Sequence, residues 1–274
     1  PKDWKWSGMV GLNANATGMV NWAAGGKNNV TGTAYGKVRC LYEKNTLSWE
    51  TNLDVAYGLS YVDQKYDQLQ KASDHLKFNT KFGWAFAKQW YLTVNAGFQT
   101  QFDLGRDYLG TGAPNPVISN ILAPSYTDIS VGIDWKPKQF LSFYLSPVAG
   151  RITTCTVPDN VMRNSYGIDT LLGKPFKADF GLTFKAQVNY TYKNLNVMSS
   201  LVLFTPYTSK AQPFGNFDVD WDFAISYQFL KVLNVSLMTS LKYYDQVKIT
   251  DAKGNVGPRV QFKEVLGVGI GYSF

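Results

Sequence analysis

The sequence closes on Glu264-Val-Leu-Gly-Val-Gly-Ile-Gly-Tyr-Ser-Phe274, and the alternation within this stretch decides the fold. Leu266, Val268, Ile270, Tyr272 and Phe274 alternate with Val265, Gly267, Gly269, Gly271 and Ser273. Successive side chains of a strand point to opposite faces, so this is a β-strand with a large apolar face and a small-residue face. Upstream, Leu233, Val235, Leu237, Thr239 and Leu241 alternate with Asn234, Ser236, Met238, Ser240 and Lys242. Before them, Phe217, Val219, Trp221, Phe223, Ile225, Tyr227 and Phe229 alternate with Asp218, Asp220, Asp222, Ala224, Ser226 and Gln228. Three carboxylates on one face exclude lipid from it, while the aromatic face suits lipid. The same split recurs over 76–86 and 180–192. Repeated along the chain, it predicts an all-β fold, a transmembrane antiparallel up-and-down β-barrel.

Composition points the same way. The chain is 45% hydrophobic and 15% aromatic, yet its mean hydropathy is −0.19, so apolar residues are plentiful without gathering into long runs. The longest stretch resembling a spanning helix, residues 194–209, lacks charge but is interrupted by Asn196, Ser199, Ser200 and Pro206, and falls short of the roughly 20 apolar residues a spanning helix needs. Twelve strands are predicted, at about 5–17, 30–43, 46–60, 74–87, 90–104, 124–136, 139–153, 177–192, 195–207, 217–229, 232–247 and 260–274, in a single domain over 1–274. Very short connections at Lys44-Asn45, Lys88-Gln89, Pro137-Lys138, Lys193-Asn194 and Leu230-Lys231 alternate with long ones near 18–29, 61–73, 105–123, 154–176, 208–216 and 248–259. Short turns on one side and long loops on the other are the known asymmetry of outer-membrane barrels. Trp4, Trp6, Trp49, Trp90, Tyr91, Trp135, Phe140, Tyr190, Tyr192, Phe229 and Phe274 then collect at the short-turn rim as an aromatic girdle.

The closing strand, with aromatic Tyr272 two positions before Phe274 and with Ile270 on the same face, resembles the C-terminal assembly signal of bacterial outer-membrane proteins. That resemblance implies recognition by the barrel-assembly machinery and puts the short turns in the periplasm. The first residue is Pro1, with no Met and no apolar stretch after it, which predicts an export signal removed from the mature chain. Further motifs occur in order: Asn21-Trp-Ala-Ala-Gly-Gly26, Phe98-Gln-Thr-Gln-Phe102, Ile118-Ser-Asn-Ile-Leu-Ala-Pro124 and Ser146-Pro147. Together they resemble an outer-membrane β-barrel family of the Bacteroidota, a domain of unknown function marked by an early NW-x-x-GG segment. The resemblance implies location in the bacterial outer membrane. On physical grounds Trp22, an aromatic residue in the first long loop, is expected near the outer interface. It also suggests barrel-assembly or surface-lipoprotein machinery as partners.

The net charge of +7 and pI near 9.2 raise the question of nucleic acid, but Lys and Arg are scattered singly and no helix carries a basic face, so no nucleic-acid partner is expected. Outer-membrane lipid and the phosphates of lipopolysaccharide are the expected surroundings. Cys40 and Cys155 lie far apart in the strand pattern and are read as free thiols. No cofactor and no metal are expected, since one His and two Cys make no zinc site and Asp218, Asp220 and Asp222 lack the loop of a calcium site. His75 beside Ser73 and Asp74 is not a catalytic triad, because neighbours on a strand point to opposite faces. The protein is not expected to be an enzyme.

The register places Glu50, Asp54, Lys77, Lys81, Asp134, Lys185, Asp220, Asp222 and Lys242 in the lumen. Lys5, Lys37, Arg39, Asp103, Lys136, Asp179 and Lys263 accompany them. Charges of both signs in a narrow space tend to pair, which predicts a largely plugged interior. The long loops carry Trp22, Tyr108, Ile118, Leu122, Tyr166 and Leu171, apolar residues that mark either a partner surface or a lid. Two functions are therefore expected in competition. One is a structural or interaction subunit of a larger outer-membrane complex. The other is a narrow passive channel for small solutes.

Overall fold

A computed structural model of the chain describes residues 3–17, 28–108, 114–209, 211–230, 232–250 and 255–273; Trp22 and Phe274 lie outside these residues. Twelve long strands form the wall: β1 (Trp4–Thr17), β2 (Asn29–Lys44), β3 (Leu47–Val62), β4 (Leu69–Ala87), β5 (Trp90–Thr100), β6 (Ser125–Lys138), β7 (Leu141–Thr154), β8 (Phe176–Tyr192), β9 (Leu195–Pro206), β10 (Asp218–Gln228), β11 (Leu233–Tyr243) and β12 (Gln261–Ser273). Each pairs antiparallel with the next, and β12 returns to β1 to close the ring. The fold is thus an up-and-down barrel of twelve strands, and closure satisfies the backbone groups that an open sheet edge would expose to lipid.

The alternation read from the sequence is the inside-outside pattern of the wall. Leu12, Val94, Ile129, Ile133, Leu145, Leu266, Val268 and Ile270 are exposed on the outer surface, as residues bathed in hydrocarbon must be. Thr93, Asn95, Ser130, Asp134, Ser146, Thr183 and Lys185 point inward and are buried. At the short-turn end the outward aromatics touch one another: Trp4 on Tyr42 (ring centroids 4.9 Å), Trp90 on Trp135 (5.7 Å), Phe140 on Tyr190 (5.1 Å) and Tyr227 on Phe229 (4.9 Å). This band is a girdle at one membrane interface. The chain therefore spans a bilayer with its strands, and no helix in the described residues is long and apolar enough to do so.

Several boundaries differ from the expectation, each for a local reason. β5 stops at Thr100 rather than 104, because the next backbone N–H groups, of Phe102 and Asp103, donate to the Asp74 carboxylate (2.8 and 2.9 Å) and leave the wall. β11 stops at Tyr243 rather than 247, and the Asp245 N–H donates to Asp218 (3.0 Å). β4 begins at Leu69, five residues early, since a bulge opposite Gly58/Leu59 lets Leu69–Lys71 continue the ladder. Pro137 is inside β6 rather than in a turn; the register shifts between Trp135 and Lys138, which accommodates a residue with no N–H to donate. The long loops hold two short ribbons, Gly105–Arg106 with Val117–Ser119 and Ile249–Thr250 with Val256–Gly257, together with a one-turn helix, Asn160–Ser165.

Candidate functional site

The lumen is filled from its walls by side chains that the strand register brings level. On β2 to β4, Arg39 donates to Glu50 (2.8 Å), Lys37 pairs with Asp54 (3.0 Å), and His75 Nε2 lies 3.0 Å from the same Asp54. On β6 to β8, Lys185 pairs with Asp128 (3.0 Å), and Lys81 of β4 reaches Gln187 Oε1 (2.7 Å) and Asp134 (3.7 Å) on these strands. Ser142 Oγ donates to that Asp134. Stripping water from such charges costs several kcal/mol per ion, and only close pairing with extra hydrogen bonds offsets it.

One group of contacts crosses the whole interior. Lys77 on β4 donates to Asp222 and lies 4.0 Å from Asp220, both on β10. These strands are six apart in a ring of twelve, so they are opposite walls. Lys242 of β11 (3.1 Å) and the Tyr244 hydroxyl (3.0 Å) also donate to Asp220, and Arg151 of β7 pairs with Asp218 (3.0 Å). All nine lumen residues singled out from the sequence are drawn into ion pairs or this strut. Asp128, Arg151 and Asp218 belong with them. Asp128 and Arg151 were missed, although the alternation through Asp134 and Ser130 would have placed Asp128 inward. Lys5 pairs with Glu43 at the exposed short-turn rim (3.0 Å). Asp103 corrects the reading: it is on the loop after β5, not in the lumen, and its carboxyl is held below its ordinary range by the Tyr57 hydroxyl (2.8 Å) and the Leu104 N–H (2.7 Å).

Above this network the loops form a lid with a small core of its own. Cys155, Met162 and Ile168 from the β7–β8 loop are buried against Ala123, with Val157 and Tyr166 packed beside them. Asp159 caps the one-turn helix by accepting from Val161 and Met162 N–H. The Tyr166 hydroxyl donates to Ile118 O (2.8 Å), and burial pushes that hydroxyl up to about 12. Burial also raises the Cys155 thiol. Lys248 N–H donates to Ser165 O (3.3 Å), and Lys177 reaches Gln246 (2.7 Å), which links to Gln212 (3.0 Å). Of the loop residues singled out, Tyr166 is therefore part of the lid, and the Tyr108 hydroxyl accepts from Lys71 N–H (3.3 Å). Ile118 and Leu122 are exposed, and Leu171 is 93% exposed. Cys40 and Cys155 are both free and buried.

Comparisons add little beyond the architecture. Among solved structures, the chain is similar to an outer-membrane channel of the COG4313 family from Pseudomonas putida F1, at 9% identity and TM-score 0.43, covering 98% of this chain and 95% of that one. It is also similar to the translocator domain of the autotransporter NalP from Neisseria meningitidis, at 8% identity and TM-score 0.41, covering 98% and 88%. The NanC porin gives 11% identity and TM-score 0.36, covering 97% and 98%. No curated protein matches the chain. Residues 14–105, β1 through the start of the loop after β5, match the model of a family described as proteins of unknown function, DUF3078.

Proposed function

We propose that the protein is an integral barrel of the bacterial outer membrane that serves as a structural or interaction subunit of a larger assembly, with the barrel as anchor and the outer loops as docking surface. The observation that carries this reading is the strut from Lys77 to Asp220 and Asp222 between opposite walls. A selective pore presents a ring of one sign to its water path, whereas these charges neutralise each other across it. Leu171, Val161 and Ile121 expose apolar surface on the loops, the kind of surface that partners cover. Surface lipoproteins or other outer-membrane proteins, the barrel-assembly machinery among them, are the partners this reading assigns. Lipid and lipopolysaccharide form its surroundings. It assigns no catalytic step, and His75 is engaged by Asp54.

A narrow channel is the second reading, favoured by one detail: Lys77 and Asp222 keep 22% and 35% of their side-chain surface exposed, so the strut is wet. Reconstitution in planar bilayers separates the two. The wild-type barrel should show little steady conductance and, when gently extracted, should retain specific partners that are lost on deletion of residues 160–171. A large stable conductance from the wild type, or a deletion that opens a pore while leaving partners bound, would replace the subunit reading with the channel.

A further inference from the structure

The ring closes unevenly. Every other ladder in the barrel joins at least ten residue pairs, and β2–β3 joins sixteen, whereas β1 and β12 pair only from Met9↔Ser273 to Ala14↔Val268, six pairs. Both strands go on past that point. β1 remains paired with β2 as far as Thr17↔Asn29, and β12 remains paired with β11 back to Lys242↔Gln261. Among the described residues no pair joins β1 to β12 beyond Ala14 and Val268, so the ladder ends there while each strand is still held from behind.

The side chains along the seam do little to compensate. Gly267, Gly269 and Gly271 give the lumen face of β12 no side chains of its own; Asn13 of β1 lies over Gly267 and Gly269 and reaches Ser236 of β11 at 3.5 Å, and Asn234 and Tyr35 cover Gly271. The outer half of β12 is tied elsewhere, by Lys263 Nζ donating to Ala72 O of β4 (2.9 Å). On the lipid side Phe262 and Leu266 are exposed, and Glu264 between them is a carboxylate on an otherwise apolar face. Unpaired backbone at membrane depth is costly unless water or a polar ligand reaches it. We infer that the outer half of the β1–β12 seam is a lateral opening in the barrel wall, able to admit an amphipathic molecule with its polar part toward the lumen and its hydrocarbon in the outer leaflet. This inference concerns the wall, and does not depend on the loops having a partner.

Two measurements test it, in a protein carrying Cys40→Ala and Cys155→Ala and shown to be folded by its shift on a detergent gel. Leu12→Cys with Ile270→Cys occupies a paired position and should form a disulfide readily. Ala16→Cys with Leu266→Cys, the same face two steps outward, should form one at least an order of magnitude more slowly. A single Asn15→Cys, on the lumen side of the opening, should be modified by an alkyl maleimide dissolved in the bilayer, while Ser130→Cys, buried on the lumen side of β6 across the ring from the seam, should not. Equal disulfide rates for the two pairs would show a closed seam and overturn the inference. So would protection of Asn15→Cys from the bilayer reagent.

Discussion

At the scale of single residues, what matters is which face of the wall a side chain occupies. Leu237 and Ser240 are three positions apart on β11 and face opposite ways. Leu237 is level with Ile225 and Leu266 on the lipid side, whereas Ser240 is level with Asp222 in the lumen. Leu237→Arg should cost roughly 2 to 4 kcal/mol near the midplane and reduce the folded fraction on a cold detergent gel. Ser240→Arg meets a carboxylate and should be tolerated. Equal damage from both would mean that the register is displaced by one, which inverts every face at once. Lys77 is the other decisive residue. Lys77→Ala leaves Asp220 and Asp222 without their partner from the opposite wall, and should lower the unfolding temperature and raise conductance in planar bilayers. Unchanged conductance would mean that the strut does not occlude the lumen.

At the scale of elements, the β7–β8 loop is the unit with its own packing. Its helix is a single turn, too short to persist alone, so the order of the lid rests on Met162 and Ile168 packing against Ala123 and Cys155. Because the Cys155 thiol is buried and its ionisation shifted upward, it should react slowly with maleimides at neutral pH, where little thiolate is present. Met162→Asp puts a charge in that core and should expose the thiol, raising its labelling rate severalfold while the barrel stays heat-modifiable. Fast labelling of the unaltered protein would mean that the lid is already open. The composition of this loop revealed that it was apolar, but not which of its residues turn inward. Tyr166 and Leu171 read alike in the sequence, yet one is packed into the lid and the other is almost wholly exposed.

At the scale of the whole molecule, the alternation of short turns and long loops predicts an orientation with the short turns in the periplasm. A cysteine replacing Lys65 on the β3–β4 loop should react with an impermeant maleimide on intact cells, and one replacing Asn194 in the β8–β9 turn should not; reversed labelling would invert the barrel. The purified protein should be β-rich by circular dichroism and should migrate as a folded form until boiled, since every strand is held by ladders on both sides, β1 and β12 by six pairs. Twelve strands, their faces and their order were legible in the sequence, because lipid outside and polar lumen inside impose a period of two that each strand carries locally. The lumen charges were legible as a set, though not as pairs. Lys77 and Asp222 are 145 positions apart, and they meet only because the stagger of successive strands around the ring brings them level. The departures of β5 and β11 from the wall, the inward turn of Met162 and the early end of the β1–β12 ladder were likewise decided in three dimensions. Local alternation fixes which way a side chain points, while the stagger and closure of the whole ring decide what it meets there.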